Sequence, residues 1–284
     1  MTKSEFLAQF KKDGHLDILK AIENEVISSI RIHTVPVDSE KELLLGSSKI
    51  GGKPDLPKNI QWPDWNGSSL SFIAQINLAE ATAFDVEQEL PNEGILFFFY
   101  DQTQQAWGDR PDQRDGFRTI FLPNIEEPLY PREFPNDLGP EARFPAVRVH
   151  YSQEWSVPGW EVVSHGYRRF LSDDEWGYYN NLEGGQGEVN KLLGHPKLIQ
   201  GPIMEKECEM VAQGIGFASP EYKDEIYMTK IEQAKQRWKL LFQIDSIRDC
   251  NMMWGDMGRL YYWIDRNDLK KRDFENVWVI LQCT

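Results

Sequence analysis

The chain has 284 residues, of which 40% are hydrophobic and 12% aromatic, and that aromatic load excludes intrinsic disorder because it can offset chain entropy. Its 45 acidic and 31 basic residues give a formal charge of −14, which repels phosphate backbones. The densest basic run, Lys270 to Arg272, sits between Asp268 and Asp273, so no nucleic-acid partner is expected.

No segment approaches the roughly 18 uncharged apolar residues of a membrane span. Residues 1–12 lack the apolar centre and cleavage site of a secretion signal. Cys208, Cys250 and Cys283 are odd in number and widely spaced, which suits a reducing compartment. A cytoplasmic protein with no membrane association is the expectation.

Residues 3–28 read as a helix, with Leu16, Leu19, Ile22, Val26 and Ile27 on one face. A short strand is expected over 30–37. Residues 49–63 must be irregular, because Pro54, Pro57 and Pro63 cannot donate to a ladder. Asn66-Gly67 reads as a hairpin tip. Residues 70–77 alternate, placing Phe72, Ala74 and Ile76 on one face and Ile73, Gln75 and Asn77 on the other. Residues 94–101 are apolar on both faces, as in a central buried strand. Further strands are expected over 117–122 and 147–151, with a proline-rich loop between them.

Ser172 caps a helix over 173–182, with Asp173, Asp174 and Glu175 in its first turn. Two more helices follow, one with Met204, Cys208 and Val211 on a face, the other with Tyr227, Ile231, Ala234 and Trp238. The chain closes with strands over 239–245, 258–265 and 276–282.

A search for self-similarity reorganises this picture. Lys49-Ile-Gly-Gly-Lys-Pro54 matches Lys191-Leu-Leu-Gly-His-Pro196, and Phe72-Ile-Ala-Gln-Ile-Asn77 matches Leu240-Leu-Phe-Gln-Ile-Asp245. Gly94-Ile-Leu-Phe-Phe-Phe-Tyr-Asp101 matches Gly258-Arg-Leu-Tyr-Tyr-Trp-Ile-Asp265, and 117–122 parallels 277–282. Four blocks in one order point to a duplication. The expected fold is α+β, a mainly antiparallel sheet built from two internal repeats, about 49–122 and about 191–282. Helices stand at the N-terminus and in an insert within the second repeat, and 1–284 is expected to form one compact domain.

Ile50-Gly-Gly-Lys-Pro-Asp-Leu-Pro57, Trp62-Pro63, Phe72-Ile-Ala-Gln-Ile76, Leu193-Gly-His-Pro196, Leu241-Phe-Gln-Ile-Asp245, Met252-Met-Trp-Gly-Asp256 and Trp278-Val-Ile-Leu-Gln-Cys283 carry a resemblance. In these motifs, strung over 49–283, the chain resembles the YwqG-like family. The resemblance implies a bacterial cytoplasmic protein containing a domain of unknown function, and it brings no catalytic residues to transfer.

The histidines His15, His33, His150, His165 and His195 are scattered with no two at i, i+2 or i, i+4, so neither a metal nor another cofactor is expected. No Gly-x-Ser-x-Gly or cysteine signature is present, and no catalytic residue is assigned. Asp249 beside Cys250 disfavours a thiolate. Glu183-Gly-Gly-Gln-Gly187 could present amides to an anion, but a helix stop explains it more simply.

The duplication itself nominates Gln75 with Asn77 and Gln243 with Asp245, each pair at i, i+2 on a strand. Either these amides line a ligand cleft between the repeats, or each satisfies the backbone of its own Gly-Pro entry, which is the commoner use of a buried polar group. Trp62, Trp254 and Asp256 are further binding candidates, with core packing as the simpler account of the tryptophans. Two functions fit. One is a non-enzymatic module that binds a basic protein, as an immunity or antidote factor would. The other is an enzyme or small-ligand binder with a polar pocket between the repeats.

Overall fold

The computed structural model describes residues 1–124, 126–164 and 171–284. Helix α1 (Lys3–Lys12) opens with a capping box in which Thr2 and Glu5 satisfy each other's backbone amides. The single long helix expected through residue 28 is two helices. Gly14, at φ +82°, takes the left-handed conformation that ends α1, and α2 (Leu16–Ile22) follows. The buried face is therefore Phe6, Phe10, Ile18, Ile22 and Val26, packed with Trp160 and Tyr179, while Leu16 is 44% exposed.

The strands in chain order begin with β1 (Ile27–Pro36), β2 (Lys49–Ile50) and β3 (Asp55–Leu56). A hairpin of β4 (Asp64–Trp65) and β5 (Ser68–Ser69) turns at Asn66-Gly67, both with positive φ, as the sequence implies. Next come β6 (Ser71–Asn77), the short helix α3 (Leu78–Ala81), β7 (Ile95–Tyr100) and β8 (Phe117–Leu122). Then follow β9 (Tyr130–Pro131), β10 (Val147–Ser156) and α4 (Trp160–Ser164). Helix α5 (Asp173–Leu182) starts with the Ser172–Glu175 capping box and stops in the glycine turn, where Gly185 N donates to Asn180 O over 2.8 Å. The rest is β11 (Asn190–Leu192), α6 (Met204–Ala212), α7 (Glu225–Ala234), β12 (Trp238–Asp245), β13 (Arg259–Asp265), α8 (Arg266–Lys271) and β14 (Trp278–Gln282).

Ten strands form one antiparallel sheet in the order β14-β13-β12-β11-β1-β10-β2-β6-β7-β8. Its centre is the ten-residue ribbon of β1 and β10, with Ile27 opposite Ser156 and Pro36 opposite Val147. Outward from that ribbon, β2-β6-β7-β8 form one flank and β11-β12-β13-β14 the other.

Three further sequence expectations change. Lys49 and Ile50, expected to be irregular, are the strand that joins β6 to β10. Trp238, placed on a helix face by its spacing, begins β12 instead. The alternation in β6 is broken by a bulge between Phe72 and Ala74, which sends Phe72 into an outer cluster with Phe97 and Phe99 while Ile73, Ala74 and Ile76 stay in the main core. A register shift stands at the matching place in β12, between Leu240 and Phe242.

The sheet curls into nearly a barrel. Phe98 meets Phe242 and Tyr262 at ring-centroid distances of 4.6 and 5.0 Å, and all three are fully buried. At the far edges Phe117 packs edge-on against Trp278 at 5.0 Å. The segment linking β7 to β8 closes the seam, with Trp278 Nε1 donating to Gly108 O over 2.9 Å. A Cβ on Gly108 would lie 1.9 Å from Val279 O, so only glycine permits this approach.

Candidate functional site

Lys49 and Lys191 lie in the short strands β2 and β11, each directly opposite a glutamine: Lys49 faces Gln75 and Lys191 faces Gln243. Gln75 Oε1 accepts from Asp55 N (2.9 Å), and its Nε2 donates to Ser47 O (2.7 Å) and Asp55 Oδ2 (2.8 Å). Gln243 Oε1 accepts from Lys197 N (2.9 Å), and its Nε2 donates to Val189 O (2.6 Å). Asp55 and Lys197 each follow the entry proline, and Ser47 and Val189 each stand two residues before the lysine. Both glutamines are fully buried, and each amide closes its own entry loop. Gln75 pairs with Phe97 of the outer cluster, on the face opposite Phe98, so it points away from the contact between the flanks.

The other sequence candidates fall in separate places. Asn77 caps α3 through Ala79 N (3.1 Å) and donates to Gly46 O (3.0 Å). Asp245 is buried, pairs with Arg259 Nε at 2.8 Å and accepts from Val189 N. Trp62 is half-buried against Phe99 and donates to Leu70 O. Trp254 is core, donating to Asp245 O and packing on Tyr100 and Phe144. Of the seven, Asp256 alone is exposed.

The second entry loop carries a charged cluster. Lys191 is buried, 4.0 Å from Glu154 Oε1 and 3.4 Å from Ser156 Oγ. Burial drives its pKa down to about 8, with Glu154 opposing that and the Arg31 guanidinium reinforcing it. Glu154 is held more tightly by Arg31 Nε, at 2.6 Å. Burial, then Glu161, pushes Glu183 up to about 7. His195 is pushed down to about 4 by burial, with Nε2 2.6 Å from Glu25 O. Beside this cluster an open groove of about 500 Å³ runs along Arg31, His33, Ser152, Glu188 and Asn190. Here His33 stands directly opposite His150, a pairing across strands that no linear spacing reveals. Among the described residues no group of three or more His, Cys, Asp or Glu could hold a metal ion, and His165 lies outside them. Cys250 is pushed up to about 12, chiefly by burial, with Asp249 a lesser cause than the sequence suggests.

The arrangement best suited to recognition lies at the seam, where sequence reasoning named no residue. The insert between β11 and β12 lays α6 beside the segment from 107 to 112. A hollow of about 150 Å³ is lined there by Trp107, Asp109, Gln200, Ile203 and Glu207 together with β14. Through Asp109 it joins a shallower concavity of about 460 Å³ that includes Pro111, Gly216, Phe217 and Arg110, the last paired with Asp112 at 3.2 Å. Trp107 is 40% exposed, Ile203 45% and Phe217 40%. Burial, then Asp109 and Glu205, pushes Glu207 up to about 7. Among the described residues no basic side chain pairs with Glu207 or Asp109. The one signal in the sequence was the insert itself, which interrupts an otherwise matching block order. Residues 109 and 207 are brought together only by closure of the seam.

Among the described residues no helix is long and apolar enough to cross a membrane. A search of the curated proteins finds no match. The family described as Domain of unknown function (DUF1963) matches residues 48–283, which is most of the chain. This chain belongs to the DUF1963 family.

Proposed function

We propose that this chain is a non-enzymatic protein-binding module whose partner inserts a lysine or arginine into the seam hollow. The observation that carries the reading is Glu207 beside Asp109 in a hollow shared with Trp107, Ile203 and β14, where among the described residues no basic side chain pairs with either carboxylate. Holding two half-buried carboxylates together is costly, and an incoming cation lowers that cost. Trp107, 40% exposed, lines the same hollow, and a cation–π contact to its indole would be worth roughly 0.5–2 kcal/mol. Ile203 and Phe217 supply apolar contact around it, and the net charge of −14 steers a basic protein toward the site. An inhibitor or antidote acting on a basic protein is the role that fits such a surface.

The same reading takes the chain as a YwqG-like protein of the cytoplasm, one domain over 1–284, descended from a duplication of about 49–122 and about 191–282. Supporting the duplication are the mirrored order of the two sheet flanks and the equivalent bonds of Gln75 and Gln243.

The test is capture from native lysate at pH 8, with mass-spectrometric identification, comparing wild type with the double substitution Glu207→Gln and Asp109→Asn. A basic protein should be retained by the wild type and lost by the double variant. Because Glu207 titrates near 7, binding should also weaken as pH falls from 8 to 6 and the carboxylate takes up its proton. Equal retention by both proteins sinks the reading.

A further inference from the structure

A second concavity has the reverse charge. It encloses about 460 Å³ where the segment from 87 to 91, on one flank of the sheet, meets the start of β12 and helix α8 on the other. Leu90, Pro91 and Leu269 are its apolar lining, the two leucines 4% and 5% exposed. Lys239, only 6% exposed, reaches into the same wall and is ion-paired to Glu89. Around the mouth stand Arg266, Lys270 and Arg272. Arg266 Nε donates to Gln236 O over 3.1 Å, and among the described residues none of these three cations pairs with a carboxylate. Glu87, the other acidic residue of the lining, accepts from Ser28 N at 3.4 Å.

A chain of charge −14 thus lines one recess with four cations and two carboxylates, and once Lys239 and Glu89 neutralise each other, Arg266, Lys270 and Arg272 outnumber Glu87. Cations crowded together repel one another, and an oxyanion placed among them relieves that repulsion while guanidinium groups bind it through two parallel donors. The leucine lining can hold an apolar group of the same ligand, and a recess between two structural units is where small ligands commonly bind.

We propose that this cavity is a binding site for a small amphipathic oxyanion, of the class of a phosphate monoester carrying an apolar group. The site is independent of the acidic hollow at the seam, which lies against β14, Trp107 and α6.

The probe is phenyl phosphate, titrated calorimetrically into the whole chain at pH 8 and low salt. Binding at or below about 1 mM is expected, with inorganic phosphate at least roughly ten-fold weaker because it leaves the leucines uncovered. The double variant Arg266→Gln with Arg272→Gly should weaken phenyl phosphate by roughly ten-fold or more. Arg272 has φ +61°, so glycine there fits the backbone and the variant should fold. Glu207→Gln should bind phenyl phosphate like the wild type. Absence of binding, equal affinity for inorganic phosphate, or an unaffected double variant would each overturn the proposal.

Discussion

Lys49 and Lys191 sit at matching places on the two flanks of the sheet, each beside a glutamine that closes a Gly-Pro loop. They differ in their counter-ions. Lys49 Nζ is 3.2 Å from Asp55 Oδ1 and 3.0 Å from Glu40 Oε1, and Gln75 donates to the same Asp55. At the place of Asp55 the other flank has Lys197, so Lys191 borrows Glu154 from the central ribbon at 4.0 Å. One backbone device thus supports a complete buried ion pair on one side and a poorly matched lysine on the other. Loop geometry is held by the glutamine amide, leaving the charges above it free to diverge.

Removing the first lysine should have the largest effect. Lys49→Met leaves Asp55, 2% exposed, without its cation, and should cost about 3–5 kcal/mol in urea unfolding at pH 7. A loss below about 1 kcal/mol would show that Asp55 is not dependent on Lys49.

The glutamines come next. Gln75→Leu strands Asp55 N and Ser47 O, and Gln243→Leu strands Lys197 N and Val189 O, and each variant should cost about 1–3 kcal/mol. The first should cost more, since the Asp55 carboxylate also loses a donor. Thermal unfolding indistinguishable from wild type in both variants would break the equivalence of the loops.

The smallest effect sharpens the contrast most. Lys191→Met should lie within about 1 kcal/mol of wild type at pH 7, or be more stable, because Arg31 continues to neutralise Glu154. The folded pKa of Lys191, about 8, lies below the ordinary lysine value of 10.5, so the native state disfavours its proton. That penalty is fully present below pH 8 and disappears as pH rises from 8 to 10.5. Any advantage of the variant should therefore shrink across that window, and a pH-independent difference would count against the depressed lysine.

Much of this molecule is readable from its residues in order. The apolar run from Ile95 to Tyr100 can only be a strand buried on both faces, and all six residues are buried. Ser172 with Glu175, and Asn66 with Gly67, mark a helix start and a hairpin tip because capping and positive φ are local chemistry. The matching Gln75 and Gln243 were visible as a pair, and the sequence preference for local satisfaction agrees with their bonds.

Tertiary structure decided what depends on distant partners. Lys49 and Ile50 become a strand only because β6 and β10 stand on either side, which a two-residue segment cannot signal. The bulge that moves Phe72 to the outer face is a property of pairing with β7 and leaves the residue pattern unchanged. His33 meets His150, and Glu207 meets Asp109, across more than ninety residues of intervening chain. Sequence composition set the charge of this protein. The closing of the sheet brought Glu207 and Asp109 to one hollow, because electrostatics depends on distance in space.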